Sequence, residues 1–168
     1  KVEDLESKYE AYQYYLDAIK RDGIPYELIS KALPTVEGAV NDILAQIVDF
    51  SMILQMDGKN VNCFIVYDDD NVWPLELSSG MERFISSLAM RIGLINISNL
   101  PAANFLAIDE GWGTMDSDNL NSVYSLFQYL KSQFQFTLIV SHIDSMRDAV
   151  DTLLEIKKEK DYSNIMFD

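Results

Sequence analysis

Apolar residues in the first twenty positions recur at alternating spacings of three and four: Val2, Leu5, Tyr9, Tyr12, Leu16 and Ile19. This is the a/d seam of a coiled coil on an otherwise polar helix. An amphipathic helix lying on its own domain would show the same spacing over so short a window. The pattern is already running where the sequence starts, so residues 1–22 are expected to be the stub of a longer arm. Gly23-Ile24-Pro25 breaks the helix. Two short helices should follow, separated near Pro34. Residues 50–56 and 61–67 are rich in β-formers and flank Asp57-Gly58-Lys59-Asn60, which predicts a hairpin. Asp68-Asp69-Asp70-Asn71 reads as a solvated loop. Such an acidic run can recruit a cation, but a plain surface turn is the simpler reading.

From Gly80 to about Asn96 the pattern is helical. Phe105–Ile108 and Phe136–Val140 are short apolar runs, which fits strands buried on both faces. A helix is predicted over roughly 118–132 between them. Another helix and one or two strands complete the chain. Strand, helix, strand, helix predicts an α/β lobe with a parallel sheet. That lobe is expected to span residues 23–168.

The 168 residues suffice for one domain with a real core. No apolar run approaches the length of a bilayer span, and the acidic, polar N-terminus is unlike a signal peptide. No membrane role is expected. Cys63 is the only cysteine, so no internal disulfide can form, which suits a reducing compartment. The net charge of −14 argues against a broad DNA-binding face, because duplex binding relies on Lys and Arg neutralising phosphates. DNA contact should be local or lie on another part of the protein.

Chemistry concentrates in three places. The first is Phe105-Leu-Ala-Ile-Asp109-Glu110, an apolar run ending in two carboxylates, followed by a Gly-containing turn that closes on Asp116. Acids at the C-terminal end of a strand lie where open α/β folds bind ligands. One carboxylate can hold Mg²⁺ through water while its neighbour deprotonates an attacking water. The second is Ser79-Gly80-Met81-Glu82, spaced as a capping box at a helix start. The free N–H groups and dipole of such a start favour an anion, and Gly80 lets it come close. The third is His142, the only histidine, at the end of the second apolar strand.

In this order the segments resemble the signature motif, Walker B, D-loop and H-loop of ABC ATPases. Within that superfamily the chain resembles the C-terminal lobe of a coiled-coil DNA-repair ATPase of the SbcC/Rad type, with SMC proteins as cousins. The match of Glu82-Arg83-Phe84 through Ser87-Leu88-Ala89-Met90-Arg91 to the helix after the signature sets the register. Ser78, Ser79, Gly80, Met81 and Glu82 then fall on the family's Leu-Ser-Gly-Gly-Glu. Ser78 replaces a leucine and Met81 a glycine. The Met81 amide can still donate to a phosphate, but its side chain is expected to crowd the approach. The resemblance implies that Asp109 binds Mg²⁺ through water, Glu110 is the general base and His142 senses the γ-phosphate. It implies that Ser79 and Gly80, with Met81 and Glu82, contact ATP held by an opposite subunit, and that Gly113 and Asp116 form the D-loop. Arg83 and Arg91 match basic positions that couple nucleotide to arm movement. Two solvated arginines paired with nearby acids is the alternative.

The implied cofactors are ATP and Mg²⁺. The implied partners are an N-terminal lobe carrying the Walker A motif, a second head forming a homodimer across two ATP, a nuclease subunit, and DNA through the full complex. The implied setting is cytoplasmic, near a nucleoid or in the cytoplasm of a virus host. The sequence holds no G-x-x-x-x-G-K-[ST]; Gly58-Lys59 is followed by Asn60 and lacks the upstream glycine. With nothing to cradle a β-phosphate, this polypeptide alone is expected neither to bind ATP tightly nor to hydrolyse it. The Cys-x-x-Cys that caps the coil in many repair ATPases is also absent. An ABC transporter ATPase, an SMC chromosome-organising head, and a non-catalytic module that kept the fold are the competing readings.

Overall fold

Helix α1 (Val2–Ile19) leaves every one of its residues at least partly open to solvent, the predicted seam included. The structure is a computed structural model and describes residues 2–58, 60–114, 120–160 and 162–167. The chain divides into two compact units, Lys1–Ala102 and Ala103–Asp168.

In the first unit, α1 ends at a turn closed by Gly23, whose N–H donates to Lys20 O at 2.9 Å. A Cβ on Gly23 would lie 2.5 Å from the carbonyl oxygens of Asp17 and Ala18, so the turn requires glycine. Pro25 then sits in the first turn of α2 (Ile24–Leu44), where its missing N–H costs nothing. The predicted break near Pro34 does not occur: α2 is one continuous helix. Pro34 lies on the exposed side, where water can take the Ser30 carbonyl that its ring leaves unpaired. Val36, Val40, Ile43 and Leu44 beyond it are buried and hold the helix in place.

Strand β1 (Ser51–Asp57) pairs antiparallel with β2 (Asn60–Asp68) through the predicted hairpin. Gly58 takes φ +57°, the left-handed value such a two-residue turn needs. Side chains of α2 cover the outer edge of β1. Glu37 accepts from Leu54 N at 2.7 Å, and Asn41 both accepts from Met52 N and donates to Met52 O. The acidic run forms a tight surface turn. Asp68 accepts from the backbone N–H of Asp70 and Asn71, an Asx-type turn that reverses the chain into β3 (Asn71–Pro74). A short 3-10 turn, Leu75–Leu77, leads to α3 (Gly80–Ile97). Helices α2 and α3 approach closely at Gly93, where a Cβ would meet Val40 Cγ2 at 3.2 Å.

The second unit holds β4 (Phe105–Asp109), α4 (Leu120–Gln133) and β5 (Phe136–Val140), with β4 and β5 parallel and in register. A hairpin of β6 (Leu154–Glu159) and β7 (Tyr162–Phe167) follows a 3-10 turn over Asp144–Ala149. The expected parallel pairing is therefore confined to β4–β5; the other described pairs are antiparallel, because short turns can only reverse a strand. The expectation that β4 and β5 are buried on both faces is corrected. Leu106, Ile108, Thr137 and Ile139 point to one side and are at least half-buried, whereas Phe105, Ala107, Phe136, Leu138 and Val140 on the other side are exposed. No described element of this unit covers that second face. Among the described residues no helix is long and apolar enough to cross a membrane.

Candidate functional site

Strand β4 ends at Asp109, and the next residue, Glu110, turns the backbone sharply. Its φ of +61° is left-handed, a conformation that costs a non-glycine residue roughly 1 kcal/mol or more. The Glu110 N–H donates to Val140 O at 3.0 Å, which extends the β4–β5 ladder by one bond and locks the bend to the end of β5. From this bend the Glu110 carboxylate meets His142, which follows β5. Oε1 lies 3.8 Å from Nδ1, too far for a direct hydrogen bond yet close enough for both groups to touch one small oxygen species. Both side chains face solvent, at 68% and 75% exposure, so a polar ligand can reach them.

Glu110, Gly111, Trp112, Gly113, Ser141 and His142 line an open cleft of about 240 Å³. Its floor is anchored by Trp112, which is 1% exposed and stacks edge-on against Phe127 of α4 with ring centroids 5.5 Å apart. Reasoning from sequence alone misses Trp112. Its signal is one large aromatic between two glycines, where the glycines turn the chain and the indole fastens it. A Cβ on Gly113 would meet nothing within 4 Å among the described residues, and its φ is not left-handed. Asp116 lies outside the described residues.

Asp109 is exposed at the end of β4, on the same uncovered face as Phe105 and Ala107, and is not part of the cleft lining. No group of three metal-ligating side chains occurs among the described residues.

The predicted signature segment forms its own local structure in the first unit. Ser79 is the N-cap of α3 and the capping box is complete. Glu82 N donates to Ser79 Oγ at 3.2 Å, and Ser79 N donates to Glu82 Oε2 at 2.7 Å. Ser79 Oγ uses a lone pair in the cap, so its own proton stays available to an acceptor. The Gly80 and Met81 N–H groups belong to the first turn of α3, where a helix has no backbone acceptor of its own for them. The Met81 side chain is 4% exposed, packed in the core rather than standing open to solvent. Arg83 and Arg91 both lie exposed on α3, and neither forms an ion pair among the described residues.

Tyr67 on β2 is likewise invisible to motif reasoning. Its hydroxyl donates to Glu82 Oε1 at 2.7 Å. Burial first, and then the neighbouring Glu82 carboxylate, push the Tyr67 hydroxyl up to about 12. Burial also pushes Glu82 upward, but hydrogen bonds from Tyr67 and Ser79 outweigh it and hold the carboxyl below the usual range.

The chain superposes with TM-score 0.68 on a solved structure from work on the ATP-driven dimerization and DNA-stimulated activation of SMC ATPases, covering 84% of this chain and 88% of that one at 15% identity. At that identity the likeness shows the fold alone. By sequence it is 28% identical over 116 residues to the SbcC subunit of the nuclease SbcCD from Staphylococcus aureus, covering 67% of this chain. The chain is part of an SMC/SbcC-like ABC ATPase head. It is also 35% identical over 180 residues, 98% of its length, to "Uncharacterized protein R555" of Acanthamoeba polyphaga mimivirus. It spans only 13% of that viral protein and 11% of the staphylococcal one. No protein-family model matches the chain.

Proposed function

We propose that this chain is the C-terminal half of an ATPase head that couples ATP binding and hydrolysis to DNA double-strand-break repair or recombination, together with a nuclease partner. The observation that carries the reading is the convergence of Glu110 and His142 at the ends of two parallel strands beside an open cleft. In this reading Glu110 takes the proton of the attacking water and His142 donates to the γ-phosphate. Asp109 would hold Mg²⁺ through water, and the cation when bound would neutralise charge on the β- and γ-phosphates. Catalysis is then positioning plus charge stabilisation, as is general for phosphoryl transfer. Ser79, Gly80 and the Met81 amide contact the γ-phosphate of ATP on the opposite head, with Glu82 holding Ser79 in place. Gly113 and Asp116 meet that head as the D-loop.

The uncovered apolar face of β4–β5 supports a missing N-terminal lobe as the element that completes the sheet and brings the phosphate loop. Asp109 lies on that same face, toward the side from which a triphosphate on such a lobe would come. The exposed seam of α1 supports pairing with a second helix into a coiled coil. The nuclease assignment leans on the staphylococcal relative, whose name is that of a nuclease component. The likeness to SMC heads favours a chromosome-organising head as the second reading.

The test is co-expression of this chain with the N-terminal half of its own protein. The pair should hydrolyse ATP, and Glu110→Gln should abolish hydrolysis while heads dimerise stably on ATP, read by light scattering. If nucleotide changes nothing in the pair, the chain is a binding module and the enzyme reading is wrong. Nuclease activity on DNA ends that co-purifies with the full protein would favour the repair assignment over the chromosome-organising one.

A further inference from the structure

The signature segment is tied to the rest of the first unit by one side chain that the capping box alone does not explain. Glu82 spends both carboxylate oxygens. Oε2 accepts from Ser79 N, and Oε1 accepts from the hydroxyl of Tyr67, fifteen residues earlier on β2. The Tyr67 ring is fixed in turn by an edge contact with Phe50, with centroids 6.1 Å apart. A frayed capping box would let the Glu82 carboxylate swing outward. Its negative charge would then compete with an anion for the Gly80 and Met81 amides, and Ser79 Oγ would lose the bond that sets its rotamer. Held between strand and helix, the carboxylate has each oxygen occupied by its own donor.

We propose that Tyr67 is a positioning residue for the signature serine, acting through Glu82 to hold Ser79 and the α3 N-terminus in the geometry that receives the γ-phosphate of the opposite head. The inference rests on the proposed function above. It adds a residue outside the four resembling motifs, on a strand that the sequence shows only as one arm of a hairpin.

The experiment uses the full protein in the Glu110→Gln background and compares Tyr67→Phe with its parent. Tyr67→Phe keeps the ring and removes only the donor. ATP binding by single heads, measured at protein concentrations below dimerisation, should be unchanged, because the Walker A lobe supplies it. The ATP concentration that drives half of the heads into dimers should rise about tenfold, the size expected for one hydrogen bond to a charged group. Phe50→Leu, which loosens the ring but keeps the hydroxyl, should lower the melting temperature more than Tyr67→Phe and move the ATP dependence less. Without nucleotide, hydrogen exchange at residues 79–82 should quicken in Tyr67→Phe. An unchanged ATP dependence of dimerisation, or exchange at 79–82 identical to the parent, overturns the proposal even if the parent dimerises normally. A parent that ignores ATP instead defeats the head reading itself.

Discussion

At the scale of single residues, the candidate chemistry depends on backbone as much as on side chains. Glu110 reaches His142 because it accepts a left-handed φ that most residues avoid, and the bond to Val140 O keeps it there. The Tyr67–Glu82 pair has its own pH window. Glu82 is depressed in the folded state, so the stability it contributes is present at neutral pH and fades as pH falls through its lowered value. Tyr67 is raised from its ordinary value near 10 to about 12, so its share is complete below 10 and is lost as pH climbs toward 12. Thermal unfolding of the wild type and Tyr67→Phe should therefore differ at neutral pH and converge at both extremes. A difference that stayed constant from acid to strong alkali would contradict the pairing.

At the scale of elements, packing overrode local signals. Pro34 predicts a break, yet the buried stripe of α2 and the Glu37 and Asn41 bonds to β1 carry the helix straight through. Gly93 has the opposite character: its backbone conformation is ordinary for a helix, but its missing Cβ lets α3 approach Val40. Gly93→Leu should cost about 1–3 kcal/mol by overpacking, measured by chemical denaturation. A neutral result would mean that α2 and α3 can separate without loss. The hairpin at Gly58 and the capping box at Ser79 are legible in the sequence because each is a short-range device whose residues lie within four positions of one another. Strand β3 is not legible, since four residues after an acidic run carry too little periodicity to announce a strand.

At the scale of the whole molecule, the open face of β4–β5 decides what the chain can do alone. Exposed apolar strands of this kind ask for a cover. Leu138→Asp should leave the isolated chain as stable as the parent, within about 0.5 kcal/mol as for an ordinary surface change. If the proposed N-terminal lobe seats on this face, the same substitution should block its association, followed by co-purification. Undiminished association would place the lobe elsewhere. The net charge of −14 argues against a broad DNA-binding face on this stretch.

The sequence by itself determined the motifs and their order: a capped helix start, an apolar strand ending in Asp109-Glu110, and a second one ending at His142. These are local patterns, set by propensity, turn chemistry and hydrogen bonds between near neighbours. Only the tertiary structure decided that Glu110 and His142 share a cleft, that Trp112 anchors its floor, that Met81 turns inward, and that Tyr67 grips Glu82. Each of these joins residues on separate elements, and such meetings follow from how strands register and helices pack, which no single stretch of the chain encodes.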